Sequence, residues 1–231
     1  MRGSSLQVQR RRSRAVWHQA QAMSTHQHND TRVVGVLALQ GAFREHVQAL
    51  ARLGYAAVEV RTSAQLWQVD GLIIPGGEST AIAKVAEADG FIEEFKRWRE
   101  EFPAKPVWGV CAGAILLSNS VEGQKRGGQA LFGGVDITIL RNAFGSQIDS
   151  FVEDVHIPAV CHGGAEDTMS CVFIRAPVIT AVGDHVDVLA TVKDGRIVAA
   201  QQGRYLVTSF HPELTTDTRF HQYFVDMIPR G

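Results

Sequence analysis

A chain of 231 residues, 45% apolar and 20% charged, has the makeup of a globular protein with room for one sizeable α/β domain. No apolar run approaches the roughly 18 residues that a membrane-spanning helix needs. The net charge of −1 hides an asymmetry: residues 1–29 hold five arginines and no acid, leaving the remainder acidic, which argues against a nucleic-acid partner.

Residues 1–30 lack hydrophobic periodicity and read as a disordered basic arm. Such an arm suits an organelle-targeting peptide or a translated leader ahead of a start at Met23. Residues 31–231 then form the folded domain. Arg32–Leu39 reads as a buried strand, and Phe43–Leu53 as a helix with Phe43, Val47, Leu50 and Ala51 on its inner face. Strands follow at Tyr55–Val60, Gly71–Pro75 and Lys105–Val110, with helices at Ser79–Ala88 and Phe91–Glu100.

Strands alternating with helices, each strand apolar throughout, predict a parallel sheet covered on both faces. The second half changes character, with strand-like runs such as DITIL, DSFVEDV, CVFIRA, VITAV, DVLATV, RIVAAQQ and YLVTSF. Turns between them predict antiparallel hairpins added to the sheet. An amphipathic helix over Asp217–Ile228 closes the chain. The expected fold is therefore α/β and three-layered: a mostly parallel central sheet, helices on both faces, and added antiparallel strands.

Cys111, Cys161 and Cys171 are too few for a disulfide framework, so free thiols in a reducing compartment are expected. That makes the cytoplasm the expected location, or an organelle if the arm is a transit peptide.

Sites in such sheets form where strands end and helices begin. Three segments fall there. Gly109-Val110-Cys111-Ala112-Gly113 is a G-x-C-x-G form of the nucleophile elbow, where small neighbours let the backbone turn sharply beneath an exposed side chain. A buried cysteine beside packing glycines would look the same. Ser209-Phe210-His211-Pro212-Glu213 ends a strand. In extended chain, His211 and Glu213 point to one side, which suits a base and its orienting carboxylate; a surface turn is the plainer reading. Pro75-Gly76-Gly77-Glu78-Ser79-Thr80 leaves backbone N–H groups free to face an oxyanion, or is a simple helix cap. Together the three offer a nucleophile, an oriented base and oxyanion donors, the parts of acyl transfer through a thioester.

PGGEST, GVCAG and SFHPE, in this order, resemble the triad-type (class I) glutamine amidotransferases, whose fold is flavodoxin-like. LQGAFREH (Leu39–His46), RNAFGSQ (Arg141–Gln147), VFIRAP (Val172–Pro177) and FHPELT (Phe210–Thr215) resemble more narrowly the glutaminase subunits of pyridoxal 5′-phosphate synthase. The resemblance spans about Val33 to Ile228. It implies hydrolysis of L-glutamine by Cys111, His211 and Glu213, with an oxyanion hole from the backbone N–H groups of Gly77 and Ala112. It implies glutamine binding by Gly76, Gly77, Glu78, Arg141, Ile174 and Arg175. No metal or cofactor is implied, pyridoxal 5′-phosphate being the product of the complex.

The implied partner is a (β/α)₈-barrel synthase subunit in a large hetero-oligomer, a separate chain that receives the ammonia. The alternatives are a glutaminase serving another acceptor and a non-catalytic regulatory homologue. The arm has no counterpart in short bacterial members, and the stretch His156–Cys171 is unusually long and polar. Its histidines and cysteines have no standard zinc spacing, so a surface loop is expected there.

Overall fold

Short β-branched runs with no helical period pair into strands, and their register decides which strand-end loops become neighbours. The computed structural model describes residues 32–123, 128–141, 150–164 and 167–230. The arm over residues 1–30, Asn142–Gln147 of the RNAFGSQ segment, and Ala165 and Glu166 lie outside these residues. Arg32–Gly231 forms one compact unit.

The first half follows the expected alternation: β1 (Val33–Leu37), α1 (Phe43–Arg52), β2 (Ala56–Val60), α2 (Ser63–Leu66), β3 (Gly71–Ile74), α3 (Ser79–Ala88), α4 (Phe91–Glu101), β4 (Val107–Val110) and α5 (Ala112–Leu117). Strands β2-β1-β3-β4 pair in parallel in that order. The second half contains β5 (Ser118–Glu122), β6 (Val135–Leu140), β7 (Ser150–Val155), β8 (Met169–Ile174), β9 (Val178–Val182), β10 (Asp187–Thr191), β11 (Ile197–Gln202), β12 (Tyr205–Thr208) and α6 (Arg219–Asp226). The sheet continues β4-β12-β11-β9-β6-β5, with β10 also pairing β11. Strand β12 runs parallel to β4, while β11 is antiparallel to β12, to β9 and to β10.

Helices cover both faces. Val34, Val36, Ile73, Trp108 and Val110 share one core cluster with Leu50 of α1 and Phe220, Phe224 and Val225 of α6. On the alternate positions, α5 packs directly on β3 and β4: a Cβ on Gly113 would lie 2.0 Å from the Ile74 carbonyl oxygen, and one on Gly109 would lie 2.5 Å from the Gly113 carbonyl oxygen. Only glycine permits that backbone contact.

Three expectations need correction. Strands β7 and β8 form a separate two-stranded antiparallel ladder instead of joining the main sheet. Ser150, Val152 and Asp154 face solvent on alternate positions, and a ladder with one wet face packs over a core, not within a sheet covered on both sides. Phe151 stacks on Phe173 at 4.5 Å, and Phe173 meets Phe210 edge-on at 5.9 Å. On α1, Ala51 is exposed, and His46 takes the inner position beside Phe43, Val47 and Leu50. Finally, His156–Cys171 is not merely a surface loop: Ile157, Val160, Cys161 and Cys171 are buried in the core cluster. Among the described residues no group of three or more His, Cys, Asp or Glu side chains is placed to hold a metal ion.

Candidate active site

Register brings the first two segments together. Val110 of β4 pairs with Thr208 of β12, so the chain leaves both strands at the same end of the sheet. Cys111 follows one strand, and Ser209-Phe210-His211 follows the other. The Cys111 backbone sits at φ 49°, ψ −100°, a conformation that costs a side-chain-bearing residue on the order of 1–3 kcal/mol. It is held there because its N–H donates to the Thr208 carbonyl at 2.7 Å and its carbonyl accepts from the Ile115 N–H at 3.2 Å. The thiol is thereby turned away from the sheet at the start of α5.

His211 is fixed by its own N–H, which donates to the Val172 carbonyl of β8 at 2.8 Å. Pro212–Leu214 forms a single 3₁₀ turn, so the expected extended geometry for His211-Pro212-Glu213 does not hold. The turn achieves the same pairing by another route, and the His211 Nδ1 and Glu213 Oε1 atoms lie 2.7 Å apart. Burial disfavours an imidazolium at His211, but hydrogen bonds with Cys111 and Glu213, and their charges, outweigh it and push its pKa up to about 10. Burial works against the Glu213 carboxylate too, yet the neighbouring His46 and His211 hold it below the usual carboxylate range.

The third segment reaches the same place through β3. The Gly76 carbonyl accepts from the Ala42 N–H at 3.0 Å, and the Glu78 N–H donates to Gln40 Oε1 at 2.9 Å. The Glu78 carboxylate caps α3, accepting from the N–H groups of Thr80 at 3.1 Å and Ala81 at 2.7 Å. Slight burial opposes ionisation of Glu78, but these donors and the Arg141 guanidinium lower its pKa. Arg141 reaches Glu78 Oε1 at 3.4 Å and Gln129 Oε1 at 3.2 Å.

One cleft of about 440 Å³ is lined by Gly76, Gly77, Glu78, Cys111, Ala112 and His211, within the range of small-ligand sites. Arg141, Ile174 and Arg175 line it as well. Glu213 stands behind His211, buried at 4% exposure. All the site residues expected from the sequence thus lie in the cleft or directly against it. Among the described residues only Cys111 (φ 49°) and Arg175 (φ 43°) combine a side chain with positive φ, and both face this cleft. Such outliers cluster at functional sites.

Sequence reasoning missed several neighbours. Gln40 and Leu214 line the cleft. Gln129 collects Ser79, Thr80 and Arg141 on one oxygen. His46 and His221 lie fully buried beyond Glu213. A signal for these two was present: each is a polar residue on the apolar face of an amphipathic helix, His46 between Phe43 and Leu50, His221 between Phe220 and Phe224.

The sequence profile of the SNO glutamine amidotransferase family matches residues 36–230. The probable pyridoxal 5′-phosphate synthase subunit PDX2 of Arabidopsis thaliana is 47% identical, over 84% of this chain and 85% of that protein. The pyridoxal 5′-phosphate synthase subunit PdxT of Herpetosiphon aurantiacus is 49% identical, over 84% of this chain and 99% of that one. Among solved structures, one described as a glutamine amidotransferase superposes with a TM-score of 0.76 at 44% identity, covering 84% of this chain and 98% of its own. PurLQS from Thermotoga maritima shares the fold alone, with a TM-score of 0.59 at 18% identity. A cysteine elbow, a paired histidine and glutamate, and a profile match over nearly all the described chain lead to one assignment: this protein belongs to the SNO glutamine amidotransferase family.

Proposed function

We propose that this chain is the glutaminase subunit of a pyridoxal 5′-phosphate synthase, hydrolysing L-glutamine to L-glutamate and ammonia and delivering the ammonia to a synthase subunit. The observation that carries the residue roles is the convergence of Cys111 and His211 in one cleft, with Glu213 2.7 Å behind the imidazole. Family membership and the named relatives support the reaction and its setting.

The reaction runs through this chain's own groups. His211 takes the Cys111 proton, and the sulfur attacks the side-chain amide carbon of glutamine. The resulting oxyanion is met by the backbone N–H groups of Gly77 and Ala112; a single donor of this kind is worth about 2.7–4 kcal/mol in the transition state. As the tetrahedral intermediate collapses, the C–N bond breaks and His211 returns its proton to the departing ammonia. Water, deprotonated by His211, then cleaves the thioester and releases glutamate. Glu213 keeps the His211 ring in the orientation that faces sulfur. Arg141 and Arg175 carry charge suited to the substrate carboxylate, and Ile174 borders the aliphatic part of the site.

The acceptor is a (β/α)₈-barrel synthase chain. Ammonia released into water is protonated and lost as a nucleophile, so hydrolysis is productive only at a docked interface. The three free thiols, Cys111, Cys161 and Cys171, support a reducing, cytoplasmic setting.

Replacing Cys111 with alanine tests the nucleophile. Glutamate release by Cys111→Ala, measured with synthase subunit present, is expected to fall to background, a loss on the order of 10⁶ by comparison with other triads. Retained release at the wild-type rate would remove Cys111 from the mechanism.

A further inference from the structure

Glu213 uses only one of its carboxylate oxygens on His211. The other, Oε2, is buried and makes no close hydrogen bond among the described residues. The polar atom it faces is His46 Nε2, 3.5 Å away, and that nitrogen likewise has no closer partner. On the far side of the same ring, His46 Nδ1 lies 3.0 Å from His221 Nε2. Both histidines have 0% exposure. Trp108 walls them in, edge-on to His46 at 5.5 Å and to His221 at 5.1 Å. Two imidazoles therefore extend inward from the back of the Cys111–His211–Glu213 group, with no solvent to share their protons.

The proton positions follow from this order. An ionised carboxylate only accepts, so the nitrogen of His46 that faces Glu213 must carry hydrogen. With Nε2 protonated, a neutral His46 has a lone pair at Nδ1, and His221 Nε2 must donate to it. His221 is then neutral, with its lone pair on Nδ1. Any other neutral arrangement sets a lone pair of His46 either against the buried carboxylate or against a lone pair of His221. Burial lowers the pKa of both rings, which agrees with two neutral imidazoles.

The chain reaches this arrangement from two distant elements. His46 comes from α1, directly after the segment in which Ala42 holds the Gly76 carbonyl. His221 comes from α6, after the turn that carries Glu213. The third imidazole, His211, sits across the carboxylate from them. Glu213 thus has an imidazole on each side, His211 bonded at Oε1 and His46 facing Oε2 across 3.5 Å.

We propose that His46, held in its tautomer by His221, is a positioning residue for the reaction: it directs an Nε2–H at Glu213 Oε2 and so keeps that carboxylate ionised and oriented toward His211. The inference rests on the proposed roles of Cys111, His211 and Glu213. It assigns His46 no contact with substrate.

Removing the donor leaves a buried carboxylate with one partner, and burial then pushes it toward its neutral form. A neutral Glu213 no longer supports the imidazolium that pairs with the Cys111 thiolate. The thiolate should therefore form at higher pH.

The experiment follows alkylation of Cys111 by iodoacetamide in the full chain, read by peptide mass from about pH 5 to pH 10, a range spanning the histidine and cysteine pKa values. It needs neither glutamine nor the synthase subunit. His46→Leu removes the donor, while His46→Gln keeps an N–H near the position of Nε2. In His46→Leu the alkylation midpoint is expected to rise by about one pH unit, a tenfold loss of thiolate below the midpoint. His46→Gln is expected to restore most of that shift. In the presence of synthase subunit, kcat for glutamate release in His46→Leu should fall about tenfold with KM unchanged, the pattern of a lost transition-state interaction.

Identical profiles in wild type, His46→Leu and His46→Gln would overturn the inference and leave the catalytic trio standing. Glutamate release that persists in Cys111→Ala would instead overturn the trio. If His46→Leu does not fold, His221→Leu carries the test, because the only group of the site that the His221 ring meets through a nitrogen is His46; a smaller rise is expected there, and an unmoved midpoint would overturn the inference.

Discussion

Gly76 illustrates how single positions constrain the site. A Cβ placed there would lie 2.3 Å from His211 Cε1, so any side chain must displace the imidazole. Under the proposed role of His211, Gly76→Ala is expected to lower glutamate release about 10²-fold, the usual cost of shifting a catalytic group by about 1 Å, and the measurement is kcat with folding checked by circular dichroism. Unchanged kcat would mean that the ring has room to move. Cys111, His211 and Glu213 could be singled out in the sequence because backbone-shaping residues mark their segments, glycines two positions to either side of Cys111 and Pro212 between His211 and Glu213. Gln129 left no such mark, and His46 only that of a polar residue on an apolar helix face. The pairing of His211 with Glu213 was anticipated for the wrong reason, as a 3₁₀ turn and not extended chain brings the two together.

Helices α1 and α6 make stability depend on pH in a way that follows from their buried histidines. His46 and His221 have pKa values lowered from 6.5 by burial. Below about pH 6.5 the unfolded chain takes up protons that the folded chain refuses, so stability falls with falling pH. Each refused proton contributes a slope of about 1.4 kcal/mol per pH unit. His211 acts in the opposite sense: its pKa, raised to about 10, gives stability that is complete below 6.5 and lost as pH climbs through 10. Urea midpoints should therefore peak between these limits and decline on the acid side. His221→Gln should flatten that acid decline, and an equally steep decline in the variant would count against a neutral buried His221.

Element boundaries in the first half were legible because long apolar periods announce themselves. Strand β5 and the single turn α2 were not, being too short to show a period, although α2 carries a full capping box between Thr62 and Gln65. The separation of β7 and β8 from the main sheet was also hidden, because strand composition does not say which neighbour a strand will choose.

For the whole molecule, the cleft opens where the parallel strands end, and Ile174 and Leu214 line it while 37% and 43% exposed. Under the proposed function, a synthase subunit docking here would cover apolar surface and exclude water from the thioester. Titrating that subunit into a glutamate-release assay should raise the rate roughly 5–150-fold, the range of a coupling free energy of 1–3 kcal/mol. Full activity of the isolated chain would argue against such gating. Among the described residues, no helix is long and apolar enough to cross a membrane.

Strand β12 is the last in the chain, yet it occupies the middle of the ten-stranded sheet, between β4 and β11. Its pairing with β4 bridges about a hundred residues, the kind of distant contact that forms late. During synthesis, Cys111 emerges long before the segment bearing His211, its proposed base. The growing chain thus carries an unarmed thiol, and reactivity begins only when the final strand slots home. A fragment lacking its tail cannot waste glutamine, because the chemistry is locked to completion of the fold.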